Sequence, residues 1–119
     1  MKKILIVDDS AFMRGILKSI LSKYKIVEAD SGAAALDQVK KEKPDLVLLD
    51  IIMPAGEEEG IRVLQETMKT NRGAQVVMIT AVGDDAIIKR CKELGAKDFI
   101  VKPFDEKLVA ETVEKCLSN

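Results

Sequence analysis

The sequence predicts an α/β domain, a doubly wound five-stranded parallel sheet in the order 2-1-3-4-5 with five helices. Three observations predict it. Four short apolar runs recur, Ile4-Leu5-Ile6-Val7, Leu46-Val47-Leu48-Leu49, Val76-Val77-Met78-Ile79 and Phe99-Ile100-Val101, each reading as a strand buried on both faces. Between them the apolar period changes to that of a helix. The regular alternation of the two then implies parallel pairing with right-handed crossovers, because parallel neighbours cannot be joined by tight hairpins.

The elements follow in order. After the first strand, Met13, Ile16, Leu17, Ile20 and Leu21 form a helical stripe, and Phe12 and Met13 are expected to pack against the sheet. Ile26-Val27, flanked by Lys25 and Glu28, reads as a second strand whose polar ends suit an edge position. Shorter stripes mark the other helices: Ala35, Leu36 and Val39; Ile61, Leu64 and Met68; Ile87, Cys91 and Leu94; Val109, Val113 and Cys116. Pro44 separates the second helix from the third strand, and Gly73 and Gly95 follow the third and fourth helices. With no linker, low-complexity tract or repeat, residues 1–119 are expected to form a single domain whose output comes from its own surface.

Composition narrows the chemistry. At 119 residues and 47% hydrophobic content the chain is large enough for one core. A net charge of -1, with both signs scattered, gives no concentrated positive field for nucleic acid, and no apolar stretch approaches the ~20 residues of a membrane span. Cys91 and Cys116 lie far apart and read as two buried thiols, which fits a reducing cytoplasm. There is no histidine, so any chemistry must use carboxylates, hydroxyls and lysines.

In this topology a ligand sits beyond the carboxyl ends of the strands, at the switch point between the first and third. The first strand ends in Asp8-Asp9, the third in Asp50, the fourth in Thr80 and the fifth in Lys102-Pro103. Three carboxylates brought together repel one another and raise each other's pKa. A bound cation resolves the conflict, and an all-oxygen set favours a hard ion such as Mg²⁺. Asp50 is then a candidate nucleophile forming an aspartyl phosphate, with Lys102 neutralising the transferred group and Thr80 hydrogen-bonding one of its oxygens. Singly, each residue has an ordinary reading: Asp9 or Ser10 as a cap of the first helix, Thr80 as a cap of the fourth, Asp50 and Lys102 as solvated surface groups. Their joint placement favours the site. Glu57-Glu58-Glu59 is read as favouring a helix N-terminus through the macrodipole and is left out of the metal site.

Val7-Asp8-Asp9-Ser10, Leu49-Asp50-Ile51-Ile52-Met53-Pro54, Thr80-Ala81 and Lys102-Pro103-Phe104 together resemble the receiver domains of two-component response regulators, along essentially the whole chain. The resemblance implies a flavodoxin-like fold in which a histidine kinase phosphorylates Asp50 and Asp8 and Asp9 hold Mg²⁺ with it. It also implies that the backbone carbonyl of Ile52 completes the metal shell, that the Lys102-Pro103 bond is cis, and that Thr80 and Phe99 form the switch. Phe99 lacks the hydroxyl that some members carry as Tyr. The segment Asp8 to Arg14 is similar to that of chemotaxis-type regulators. One departure follows Pro54, where Ala55 to Glu59 make the loop about two residues longer than usual. The implied protein is a cytoplasmic phospho-switch that catalyses only its own phosphorylation and dephosphorylation. Its partners would be a histidine kinase and a downstream protein of unknown identity, without membrane or direct nucleic acid.

Two other functions fit the topology less well. A flavin mononucleotide binder needs a phosphate loop rich in Ser, Thr and Gly after the first strand, where Asp8-Asp9 would repel the phosphate. A phosphatase with an aspartate nucleophile usually shows an acid-x-acid arrangement there, which this chain lacks. A degenerate receiver that only binds proteins is disfavoured by the complete set of acids, Thr80 and Lys102.

Overall fold

The computed structural model describes residues 1–53, 56–81 and 85–118. The elements alternate as expected: β1 (Lys3–Val7), α1 (Ala11–Ile20), β2 (Lys25–Ala29), α2 (Gly32–Glu42), β3 (Leu46–Asp50), α3 (Glu57–Thr70), β4 (Gln75–Ala81), α4 (Asp85–Glu93), β5 (Asp98–Lys102) and α5 (Glu106–Leu117). All neighbouring strands pair in parallel, in the order β2-β1-β3-β4-β5.

Alternate residues of each strand serve opposite faces, so the sheet divides the core in two. Leu5, Val7, Val47, Leu49, Val76 and Met78 share one core with Ala35, Val39, Ile61, Leu64 and Cys91, the inward residues of α2, α3 and α4. Ile4, Ile6, Leu46, Leu48, Val77, Ile79 and Ile100 share the other with Leu17 and Leu21 near α1 and with Val109, Val113 and Cys116 of α5. The central strands β1 and β3 are almost wholly buried, as their unbroken apolar runs require. The outer strand β2 is only half-buried from Ile26 to Glu28. Strand β5 departs from the expectation of burial on both faces: Ile100 is buried, but Phe99 and Val101 are half-buried because β5 forms the other edge.

The helix starts carry side-chain or charge signals. Ser10, rather than Asp9, caps α1 by accepting from Met13 N at 3.1 Å. Ser31 accepts from Ala34 N at 3.2 Å, and Asp105 from Leu108 N at 2.7 Å. The N-cap of α3 is Gly56 at φ +99°, which has no side chain to offer, and Glu57, Glu58 and Glu59 fill its first turn as the macrodipole reading expected. Gly95 closes α4 in the left-handed region at φ +111°. Phe12 corrects the sequence reading: it is 78% exposed rather than packed on the sheet. It precedes Leu17 by five residues, a rotation of roughly 140° away from the buried stripe. Ile16 lies at the margin of that stripe and is 36% exposed. Cys91 and Cys116 are free and buried, and burial pushes the Cys116 thiol up from its ordinary pKa. Among the described residues, no helix is long and apolar enough to cross a membrane.

Candidate functional site

The order of the sheet fixes where the side chains meet. The chain leaves β1 toward β2 on one side and leaves β3 toward β4 on the other, which opens a crevice at the carboxyl ends of β1 and β3. Pairing persists one residue beyond β1 and β3: Asp8 N donates to Ala29 O at 3.1 Å, and Ile51 N to Ile79 O at 3.0 Å. Asp8 and Asp50 are therefore held by backbone on both sides of the crevice.

Each carboxylate is tethered by one oxygen. Asp8 Oδ1 accepts from Ser10 N at 2.9 Å and Asp50 Oδ1 from Ile52 N at 3.0 Å. Lys102 reaches across from β5, with Nζ 3.1 Å from Asp50 Oδ2. The Lys102-Pro103 bond is cis, as the family resemblance implied. Asp8 and Asp50 are 2% and 3% exposed, whereas Asp9 projects into solvent. One oxygen from each of Asp8, Asp9 and Asp50 lies within 4.8 Å of the others. They border an open cavity of about 340 Å³, lined also by Ser10, Met13, Ile52, Met53 and Lys102.

The electrostatics are unsettled. Burial raises the Asp8 carboxyl above its ordinary pKa of 3.8, and the Asp50 charge adds to the rise against the opposing pull of Ser10 N–H and Lys102. Asp8 Oδ2 is buried without a hydrogen-bond partner among the described residues, as is Thr80 Oγ1, where Thr80 is 1% exposed. Buried polar atoms are nearly always satisfied, so the orphaned Asp8 Oδ2, on a residue that lines the cavity, points to a missing group, and Thr80 follows Ile79, the β4 partner of Asp50. Hard oxygen donors gathered at this spacing, one of them unsatisfied, fit a divalent cation such as Mg²⁺. The hydroxyl fits a ligand oxygen.

The remaining expectations fall around this centre. Ile52 lines the cavity with its side chain 57% exposed. Phe99 is half-buried against the α2–α4 core, with Lys92 Nζ 5.6 Å from its ring centroid. Pro54, Ala55 and Val82 lie outside the described residues. Sequence reasoning missed Arg14. Its Nη1 donates to Asp8 O at 2.6 Å while its Nε binds Glu28 Oε1 at 3.0 Å, which clamps the end of β1 to β2. The only signal for it was a basic residue directly after Met13, the first residue of the apolar stripe.

Comparison with known proteins agrees with the geometry. Residues 4–114 match the response regulator receiver domain family. Chemotaxis protein CheY of Thermotoga maritima is 44% identical over 117 residues, covering 96% of each chain. Sporulation initiation phosphotransferase F of Bacillus subtilis is 40% identical over 118 residues, covering 98% of this chain and 94% of that relative. Among solved structures, a CheY-like response regulator receiver domain protein from Methanospirillum hungatei superposes with a TM-score of 0.91 at 28% identity, covering 99% of this chain and 94% of the other. With its flavodoxin-like order of five strands and its acidic cluster at the switch point, the chain belongs to the response regulator receiver domain family of two-component signalling.

Proposed function

We propose that Asp50 accepts a phosphoryl group from the phosphohistidine of a partner kinase, in a Mg²⁺-assisted reaction that switches the surface of α4, β5 and α5. The observation that carries this reading is the buried, unpartnered Asp8 Oδ2 in a cluster with Asp9 and with Asp50, the carboxylate that Lys102 reaches. An Asp50 carboxylate oxygen attacks phosphorus, the P–N bond of the donor breaks, and the leaving imidazole takes a proton. Lys102 stays beside Asp50 and neutralises charge on the transferred group. Thr80 donates its O–H to a phosphoryl oxygen, which satisfies the hydroxyl and draws the end of β4 toward the site. Phe99 follows on the neighbouring strand. Asp8, Asp9, Asp50 and the Ile52 carbonyl are the groups that would hold Mg²⁺, which when bound supplies electrostatic stabilisation of the phosphoryl oxygens.

The chemotaxis and sporulation relatives support a cytoplasmic signalling role with a histidine kinase upstream and a protein target downstream. The chain would act catalytically only on itself. Ile52 places an apolar side chain at the cavity, a poor group for orienting an attacking water, so the phosphorylated form should be long-lived. Ile52→Asn is expected to hasten dephosphorylation, and an unchanged decay rate would remove that part of the reading.

Intact-mass analysis after incubation with acetyl phosphate tests the function. A single phosphoryl adduct that requires both Mg²⁺ and Asp50, and is absent from Asp50→Ala, is the expected result. No adduct and no response to beryllofluoride would turn the reading to a phosphorylation-independent binding module.

A further inference from the structure

The start of α3 is fastened in a way the phosphorylation chemistry does not use. Glu59, in its first turn, reaches across to α2 and accepts from Gly32 N at 2.7 Å. That amide is the first of α2 and has no partner within its own helix, while the Ser31 hydroxyl is engaged with Ala34 N. The fit requires glycine: a Cβ at position 32 would stand 2.8 Å from both Glu59 Cγ and Glu59 Oε2. The carboxylate fills the place where a side chain would be, at the positive end of the α2 dipole.

The next residue closes the other side. Gly60 is buried, and a Cβ there would lie 3.1 Å from Ile51 O and 3.2 Å from Ile51 Cα, so the α3 backbone rests directly on the strand end. Ile51 is flanked by Asp50 and by Ile52, whose amide binds Asp50 Oδ1 at 3.0 Å. A mechanical path thus runs from Gly32 through Glu59 and Gly60 to the backbone beside the nucleophile. The N-cap of α3, Gly56, provides no side-chain hydrogen bond of its own.

We propose that Glu59 is a positioning residue for the phosphorylation site: its carboxylate on the Gly32 amide holds Gly60 against Ile51 and so fixes the Ile51-Ile52 backbone that orients Asp50. It acts through the backbone and touches no reacting atom. The proposal rests on the reading of Asp50 as phospho-acceptor.

The test compares the wild-type chain with Glu59→Ala, Glu59→Gln and Gly32→Ala by amide hydrogen exchange, Mg²⁺ titration followed by amide shifts, and urea unfolding. Glu59→Ala and Gly32→Ala should each speed exchange at Ile52 about tenfold, the opening expected when a hydrogen bond to a charged group is lost. Both should also weaken Mg²⁺ binding several-fold. Glu59→Gln, which keeps an acceptor oxygen, should recover most of both effects. Gly32→Ala keeps the test valid if Glu59→Ala fails to fold, since its methyl need only displace the flexible end of Glu59. Faster exchange at Gly32 alone, with Ile52 exchange and Mg²⁺ affinity unchanged, would overturn the proposal and leave Glu59 as a helix cap. A wild-type chain that binds no Mg²⁺ would count against the Asp50 reading, while exchange at Ile52 would still decide the role of Glu59.

Discussion

At the amino ends of β1 and β3 the charged groups answer one another, and at the carboxyl ends of the same strands they do not. Lys3 N–H donates to Asp45 Oδ2 at 2.8 Å, and Lys3 Nζ binds both the carboxylate and the carbonyl of Glu42 at 3.0 Å. The hydrogen bond from Lys3 accordingly holds the Glu42 carboxyl below its ordinary pKa. At the opposite end three carboxylates cluster, Asp8, Asp9 and Asp50, of which, among the described residues, Asp50 alone is ion-paired, with Lys102, and burial drives Asp8 above its ordinary value. The same sheet therefore carries one end with its charges matched and one with charge left over. The excess is placed where a cation and a phosphoryl group would consume it.

Substitutions should separate the two ends in a definite order. Asp50→Asn is expected to abolish the phosphoryl adduct completely, read by intact mass. Lys102→Met removes the cation paired with Asp50, and the rate of phosphorylation by acetyl phosphate should fall about 10²-fold, the usual effect of deleting a charge-stabilising donor. Asp8→Asn should act in the opposite direction on stability. Without metal it relieves the cost of burying the charged carboxylate and its repulsion by Asp50, and should raise the unfolding free energy at neutral pH, as measured in urea. Because the folded pKa of Asp8 is raised, its penalty is present above that value and fades as pH falls toward 3.8, so the advantage of Asp8→Asn should shrink in mild acid. The smallest change belongs to the matched end: Lys3→Met should barely move the urea midpoint, since part-exposed pairs contribute little. Its pH dependence has the reverse sign. The Glu42 pairing supports the fold at neutral pH and is lost as pH falls through the lowered pKa.

Much of this contrast was legible in the sequence because topology alone decides which end of a parallel strand faces the crevice. Once five apolar runs alternate with helical stripes, the residues just after each run converge, and Asp8, Asp50, Thr80 and Lys102 needed no further information. What escaped depends on contacts distant in sequence. The Glu59–Gly32 bond spans 27 residues and the Arg14–Glu28 bond 14, and no local pattern announces either. Run length also says little about edges, which is why Phe99 and Val101 were expected to be buried on both faces. Phe12 failed differently. It sits beside the stripe in sequence, but a helix turns far enough per residue to put it in solvent.

The central claim is that the excess carboxylate charge at the carboxyl ends is a cation site held in waiting. Urea unfolding of the wild-type chain and of Asp50→Asn, each with Mg²⁺ or with EDTA, tests it most directly. A ligand that binds only the folded state must raise its stability, so Mg²⁺ should shift the wild-type midpoint upward with concentration and leave Asp50→Asn nearly unmoved. Equal midpoints for the wild type with and without Mg²⁺ would contradict the account.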